Sequence, residues 1–202
     1  MIALDQESVV SSYTDRVFKA LRSVSDEAVR VLVDVLVDAQ VSGQTVFVVG
    51  NGGSATTASH MVTDLGVGSQ RFGAGVRAFS LSDNSGVVTA VANDAAFDGI
   101  FSEQLQLLAR EGDVLVAISA SGNSPNLLKA AMTAQRMNMR VVSLTGFSGG
   151  HLKELADVAV HVETEDGDYG PAEDAHLVLN HMVTEMFRHR VGAASDSRNL
   201  HG

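Results

Sequence analysis

A parallel β-sheet covered by helices on both faces is the fold class that this sequence predicts, and three observations predict it. Five short apolar runs recur along the chain, at residues 46–49, 76–81, 114–119, 140–144 and 159–162, with the length and β-branched content of buried strands. Helical periodicity fills most of the stretches between them, as at 98–109, 126–137 and 151–156. Strands alternating with helices build a parallel sheet with a helix layer on each face. Two of the runs also lead into turns rich in glycine or serine that open a helix, and ligands of open α/β sheets sit outside the carboxyl ends of the strands.

Taken in order, the elements begin with two helices within residues 5–40. Val9, Val10, Tyr13, Val17, Leu21 and Val24 recur at spacings of three and four, and Ala28, Val31, Leu32, Val35, Leu36 and Ala39 form a second such stripe. Ser25-Asp26-Glu27 between them carries cap chemistry. Gly43-Gln44 turns the chain into the first strand, after which 55–65 reads as a helix. The last long helix spans 173–190, and the polar tail 192–202 is expected to be loosely ordered. Pro125 and Pro171 are the only prolines, and neither a linker nor a repeat is visible. The expectation is one domain over 1–202: leading helices at 1–42, an α/β core at 43–191, and the tail.

Composition narrows the class. The chain has 202 residues, 45% of them hydrophobic, enough for a sizeable core. No apolar run approaches the ~18 residues of a membrane span, and the N-terminus lacks the basic start and apolar centre of a signal peptide. There is no cysteine, which excludes disulfides and thiolate metal sites. A cytoplasmic protein without membrane contact is the simplest expectation. The net charge, 14 − 24 = −10, disfavours nucleic acid as a partner. It also opposes a phosphorylated ligand, so a phosphate site here must work through local dipoles and hydroxyls.

Four segments supply chemistry. Gly50-Asn51-Gly52-Gly53-Ser54 follows a buried strand and opens a helix, which aims backbone N–H groups at an anion. The same helix carries His60 and Asp64 on one face, four residues apart. Ser119-Ala120-Ser121-Gly122-Asn123-Ser124 follows another strand, and its hydroxyls without lysine or arginine make a cradle suited to a sugar monophosphate rather than a nucleotide loop. Ala92-Asn93-Asp94 is either a turn or a pair of substrate contacts. In the fourth segment, Pro171 starts a helix with Glu173 in its first turn, and His181 follows at an angular offset of about 80°. His176 lies closer in angle to Glu173 and is ambiguous, while His151, His189 and His201 read as ordinary surface or core residues.

These segments together resemble the sugar-isomerase (SIS) domain family, most closely its phosphoheptose isomerase branch. The residues that carry the resemblance are Gly50 to Ser54, His60, Ala92-Asn93-Asp94, Ser119 to Ser124, Thr145-Gly146, and Glu173 with His181. It implies a flavodoxin-like three-layer α/β/α sandwich preceded by N-terminal helices, here 1–42, that serve oligomerisation, assembled as a homotetramer with active sites between subunits. It implies an aldose–ketose isomerase acting through an enediol, with Ser119, Ser121 and Ser124 on the substrate phosphate. Asn51, Gly52, Gly53, Ser54, Asn93, Asp94 and Ala120 fall at other substrate-binding positions. Asp64 and His181 match the acid–base pair, and His60, Asp64, Glu173 and His181 match a metal-ligand set that holds Zn2+ in some members.

The chain departs from the family at three positions. Asp64 stands for the usual glutamate, Glu173 for the usual glutamine, and Ala120 where a hydroxyl residue is common. The two acidic changes read as compensating, with Glu173 taking part or all of the base role and Asp64 mainly a ligand. Two imidazoles and two carboxylates also give a donor set that a divalent cation neutralises. The altered positions keep two alternatives open: an octulose or hexulose phosphate as substrate, or a non-catalytic adaptor or sensor that binds a replication initiator protein.

Overall fold

The computed structural model describes the backbone of residues 6–199 and the side chains of 8–192. Five strands form one wholly parallel sheet in the order β2-β1-β3-β4-β5. They are β1 (Thr45–Gly50), β2 (Arg77–Ser80), β3 (Val114–Ser119), β4 (Arg140–Thr145) and β5 (Val158–His161). Every residue of β1 and β3 is buried, the signature of central strands covered on both faces. At the sheet edge, β2 alternates exposed and half-buried residues.

Period-two alternation along the strands divides the core into two layers. Val46, Val48, Val116, Ile118, Val142 and Leu144 face α2 (Asp26–Ser42), α3 (Gly53–Thr63) and α8 (Tyr169–Asn199). Phe47, Val49, Leu115, Ala117 and Val141 face α5 (Ser102–Leu108), α6 (Pro125–Arg136) and α7 (Gly150–Leu155). The sandwich expected from the sequence is therefore present, with α1 (Gln6–Arg22) and α2 leading it. Ser25 caps α2 by accepting a hydrogen bond from the Ala28 N–H, and Gly43 ends it in the left-handed region at φ 69°. Among the described residues no helix is long and apolar enough to cross a membrane.

The sequence-based boundaries shift in four places. The expected helix at 98–109 is a 3-10 turn, Phe97–Gly99, followed by α5, and a separate α4 covers Ser85–Asp94. The segment at 92–94 thus closes a helix rather than forming a free turn. Beyond α3 the chain does not stop near Leu65 but widens into a π turn, Asp64–Gly68. Finally, α8 begins four residues before Glu173. Pro171 fits because its missing N–H lies in the first turn, where it would have had no partner. The helix also runs through the expected loose tail as far as Asn199, since only Gly192 interrupts that stretch and no proline does.

The topology places the site. Sheet order reverses between β1 and β3, and Gly50 pairs with Ile118 at the carboxyl ends of these neighbours. The glycine turn and the serine loop therefore emerge side by side at the switch point, where α/β sheets bind ligands.

Candidate functional site

The two turns are joined by an amide pair. Asn51 Nδ2 donates to Asn126 Oδ1 at 2.9 Å, and Asn126 Nδ2 donates to Asn51 Oδ1 at 2.8 Å. Within the serine loop, Ser119 Oγ accepts from the Gly122 N–H at 3.0 Å and Ser121 Oγ from the Asn123 N–H at 3.3 Å. Ser124 occupies the cap position of α6 without using its hydroxyl as a cap. Between the turns lies a cleft of about 110 Å³. Asn51 and Ser54 line it from the first turn, Ser119, Ala120, Ser121 and Ser124 from the second, and Tyr169 and Glu173 from α8.

Glu173 touches the glycine turn directly. A Cβ built on Gly53 would lie 2.2 Å from Glu173 Oε2, so only glycine allows the carboxylate to sit there. This placement separates Glu173 from the other expected metal ligands.

His60, Asp64 and His181 do converge, with one ligand atom from each lying within 4.8 Å of the others. The two imidazole Nε2 atoms are 3.3 Å apart. Asp64 Oδ2 is 3.4 Å from that of His60 and 3.9 Å from that of His181. Asp64 opens the π turn, an irregularity frequent at functional sites. Two ring nitrogens facing one another beside a carboxylate oxygen are a nitrogen-and-oxygen donor set that fits a divalent cation such as zinc. Both histidines are exposed, while Asp64 is half-buried and accepts a hydrogen bond from Asn180 Nδ2 at 2.9 Å. Three of the four expected ligands are thus together, and Glu173 is not part of the group.

The remaining expected residues are placed as follows. Asn93 and Asp94 sit exposed on the last turn of α4, bonded to each other at 2.8 Å, and do not line the cleft. His176 belongs to the core: it is fully buried, and loss of solvation pushes its pKa down from 6.5 to about 4. His151 and His189 lie on the surface beside Glu154 and Glu185, and His201 lies outside the described residues. Sequence reasoning missed Tyr169, Asn126 and Asn180. A signal for Asn180 was present: His176, Asn180 and Thr184 form a polar stripe at spacing four in an otherwise apolar helix face.

A protein-family model of the SIS domain matches residues 11–146. The phosphoheptose isomerase of Mycobacterium tuberculosis is 41% identical over 168 residues, covering 83% of this chain and 84% of the relative. The chain belongs to the SIS-domain family, in its phosphoheptose isomerase branch. Within that family, the phosphoheptose isomerase of Geotalea daltonii is 34% identical over 176 residues, 86% of this chain and 91% of the relative. The structure of the phosphoheptose isomerase from Neisseria gonorrhoeae superposes with a TM-score of 0.80 at 29% identity, covering 90% of this chain and 97% of that one. The SIS fold that the sequence led us to expect is thereby matched at the level of whole chains.

Proposed function

We propose that the chain interconverts sedoheptulose 7-phosphate and glycero-manno-heptose 7-phosphate by enediol chemistry, as a cytoplasmic homotetramer. The observation that carries this reading is the cleft at the switch point, where a hydroxyl-lined phosphate cradle and the carboxylate of Glu173 share one wall-to-wall space. Membership of the phosphoheptose isomerase branch supplies the substrate.

In this reading Ser119, Ser121 and Ser124 hold the phosphate with the N–H groups of their loop, which suits an acidic chain that cannot attract it by net charge. Ala120 contributes no hydroxyl. Asn51, Gly52, Gly53 and Ser54 orient the sugar. Asn93 and Asp94, which do not line the cleft of their own protomer, serve the site of a neighbour in the tetramer.

Glu173 is the base: its carboxylate takes the proton from the carbon beside the carbonyl, exchanges it with solvent, and then protonates the adjacent carbon. His181, the more exposed imidazole at 56% against 44% for His60, passes the proton between the two substrate oxygens at Nδ1, the ring nitrogen that does not face His60. His60, Asp64 and His181 would hold a divalent cation, most simply Zn2+, with Glu173 outside the ligand set. Such a cation supplies Lewis-acid polarisation of the substrate oxygens.

The test is to incubate metal-analysed protein with sedoheptulose 7-phosphate in D2O and follow the aldose phosphate by NMR. The expected result is turnover with solvent deuterium placed on the carbon next to the carbonyl, lost with chelator and restored by one divalent ion. No turnover with any metal sinks the reading, and octulose or hexulose phosphates and then protein partners become the next substrates and ligands to try.

A further inference from the structure

Asp64 is gripped from α8 at two points. At its side chain, Asn180 Nδ2 donates to Oδ2, the same oxygen that faces Nε2 of both His60 and His181. At its main chain, the Asp64 carbonyl accepts from Ser69 Oγ at 2.6 Å and from Arg188 Nη2 at 3.3 Å. Arg188 Nε also donates to Ser69 Oγ at 3.0 Å. These contacts satisfy the carbonyl at the point where the π turn replaces the regular helical ladder.

Asn180 is an unfavourable choice for the fold alone. It is fully buried, and its Oδ1 has no partner among the described residues. The amide turns its Nδ2 donor to Asp64 Oδ2, and its Oδ1 acceptor is left unpaired. A leucine would fill similar space with no unpaired carbonyl, and burying such a group unpaired costs stability. The residue is explained by what its N–H does.

We propose that Asn180 is a positioning residue for Asp64. Its N–H occupies one lone pair of Oδ2 and fixes the carboxylate rotamer, so that the other lone pair of this short side chain stays aimed between the two imidazoles. Hydrogen bonds of this kind to a ligating carboxylate set both the affinity and the geometry of a metal site. The proposal rests on the reading of His60, Asp64 and His181 as a cation-binding group.

The experiment compares the full chain with Asn180→Leu and Asn180→Ala. It reads Tm, Zn2+ affinity by competition with a chromophoric chelator, the visible spectrum of the Co2+ form, and kcat and KM at saturating zinc. The leucine variant should melt at or above the parent, bind Zn2+ about 10–100-fold more weakly, and show altered Co2+ bands. Its kcat should fall while KM stays within about twofold. If leucine does not fold, the alanine variant gives the same readouts. Folded variants with the parent's zinc affinity and Co2+ spectrum overturn the role of Asn180 and leave the site reading standing. A parent chain that binds no divalent cation in the same titration overturns both.

Discussion

Asn51 and Asn126 lie 75 positions apart in sequence and exchange two amide hydrogen bonds, fastening the glycine turn to the first turn of the helix behind the serine loop. Asn126 is buried and also accepts from the Leu127 N–H through the same oxygen. The two ligand-facing turns are therefore tied to each other at this point.

Asn126→Ala should uncouple them. Asn51 loses both partners, and an unpaired amide at a half-buried position costs about 1–3 kcal/mol. The expected outcome is a lower Tm and a KM for the sugar phosphate raised about tenfold or more, because a misplaced cradle of even ~1 Å is costly. Steady-state kinetics beside thermal melts measure both, and an unchanged KM would show that the turns hold their spacing without the pair.

Glu173→Gln keeps the shape of the residue and removes its ability to take a proton. Turnover should be abolished while the zinc content measured on the purified protein stays near the parent's, because Glu173 stands outside the His60, Asp64 and His181 group. Retained activity would return the base role to Asp64.

Gly53→Ala adds a methyl group where the Glu173 carboxylate now sits. Alanine suits the first turn of α3 better than glycine in propensity, so stability should hold or rise slightly. Activity should fall about 100-fold as the carboxylate is displaced. A fully active, stable variant would mean that the position of Glu173 against the turn is irrelevant to the reaction.

Acid should weaken the fold through His176. Its folded-state pKa, about 4, lies below the ordinary 6.5, so the unfolded chain takes up the proton first. The stability tied to its neutral form is complete above about pH 6.5 and is lost as pH falls from there through 4, by roughly 3 kcal/mol at 1.36 kcal/mol per pKa unit. Urea midpoints at pH 7.5, 6 and 5 should decline accordingly. His176→Leu should flatten that decline, and an unchanged slope in the variant would assign the acid sensitivity elsewhere.

Much of this was legible in the chain. Strands such as 46–49 and 114–119 announce themselves because burial on both faces demands continuous apolar runs, and the two ligand turns stand out because glycine and serine punctuate those runs. The order of strands was not legible from periodicity, which tells which face a residue occupies but not which strand lies beside it. The π turn was hidden, since Asp64-Leu65-Gly66-Val67-Gly68 reads equally well as a helix end. Glu173 was expected with the histidines because the family resemblance places it there; its offset of about 80° from His181 gives an angle on the helix but not the direction a side chain takes. The structure turns it to Gly53 instead. Asn180 leaves only a faint trace, one polar position in the stripe His176, Asn180 and Thr184, and a buried amide reads in sequence like any polar interruption of an apolar face.

One helix carries Glu173 at the phosphate cleft and both Asn180 and His181 at the histidine group. Between Glu173 and Val191 it contains neither glycine nor proline, so it has no joint at which to bend. Eight residues of rise, about 12 Å of helix axis, thus join the root of Glu173 to that of His181 without a break. α8 acts in this sense as a rigid strut, and a displacement at either end is carried to the other rather than absorbed between them.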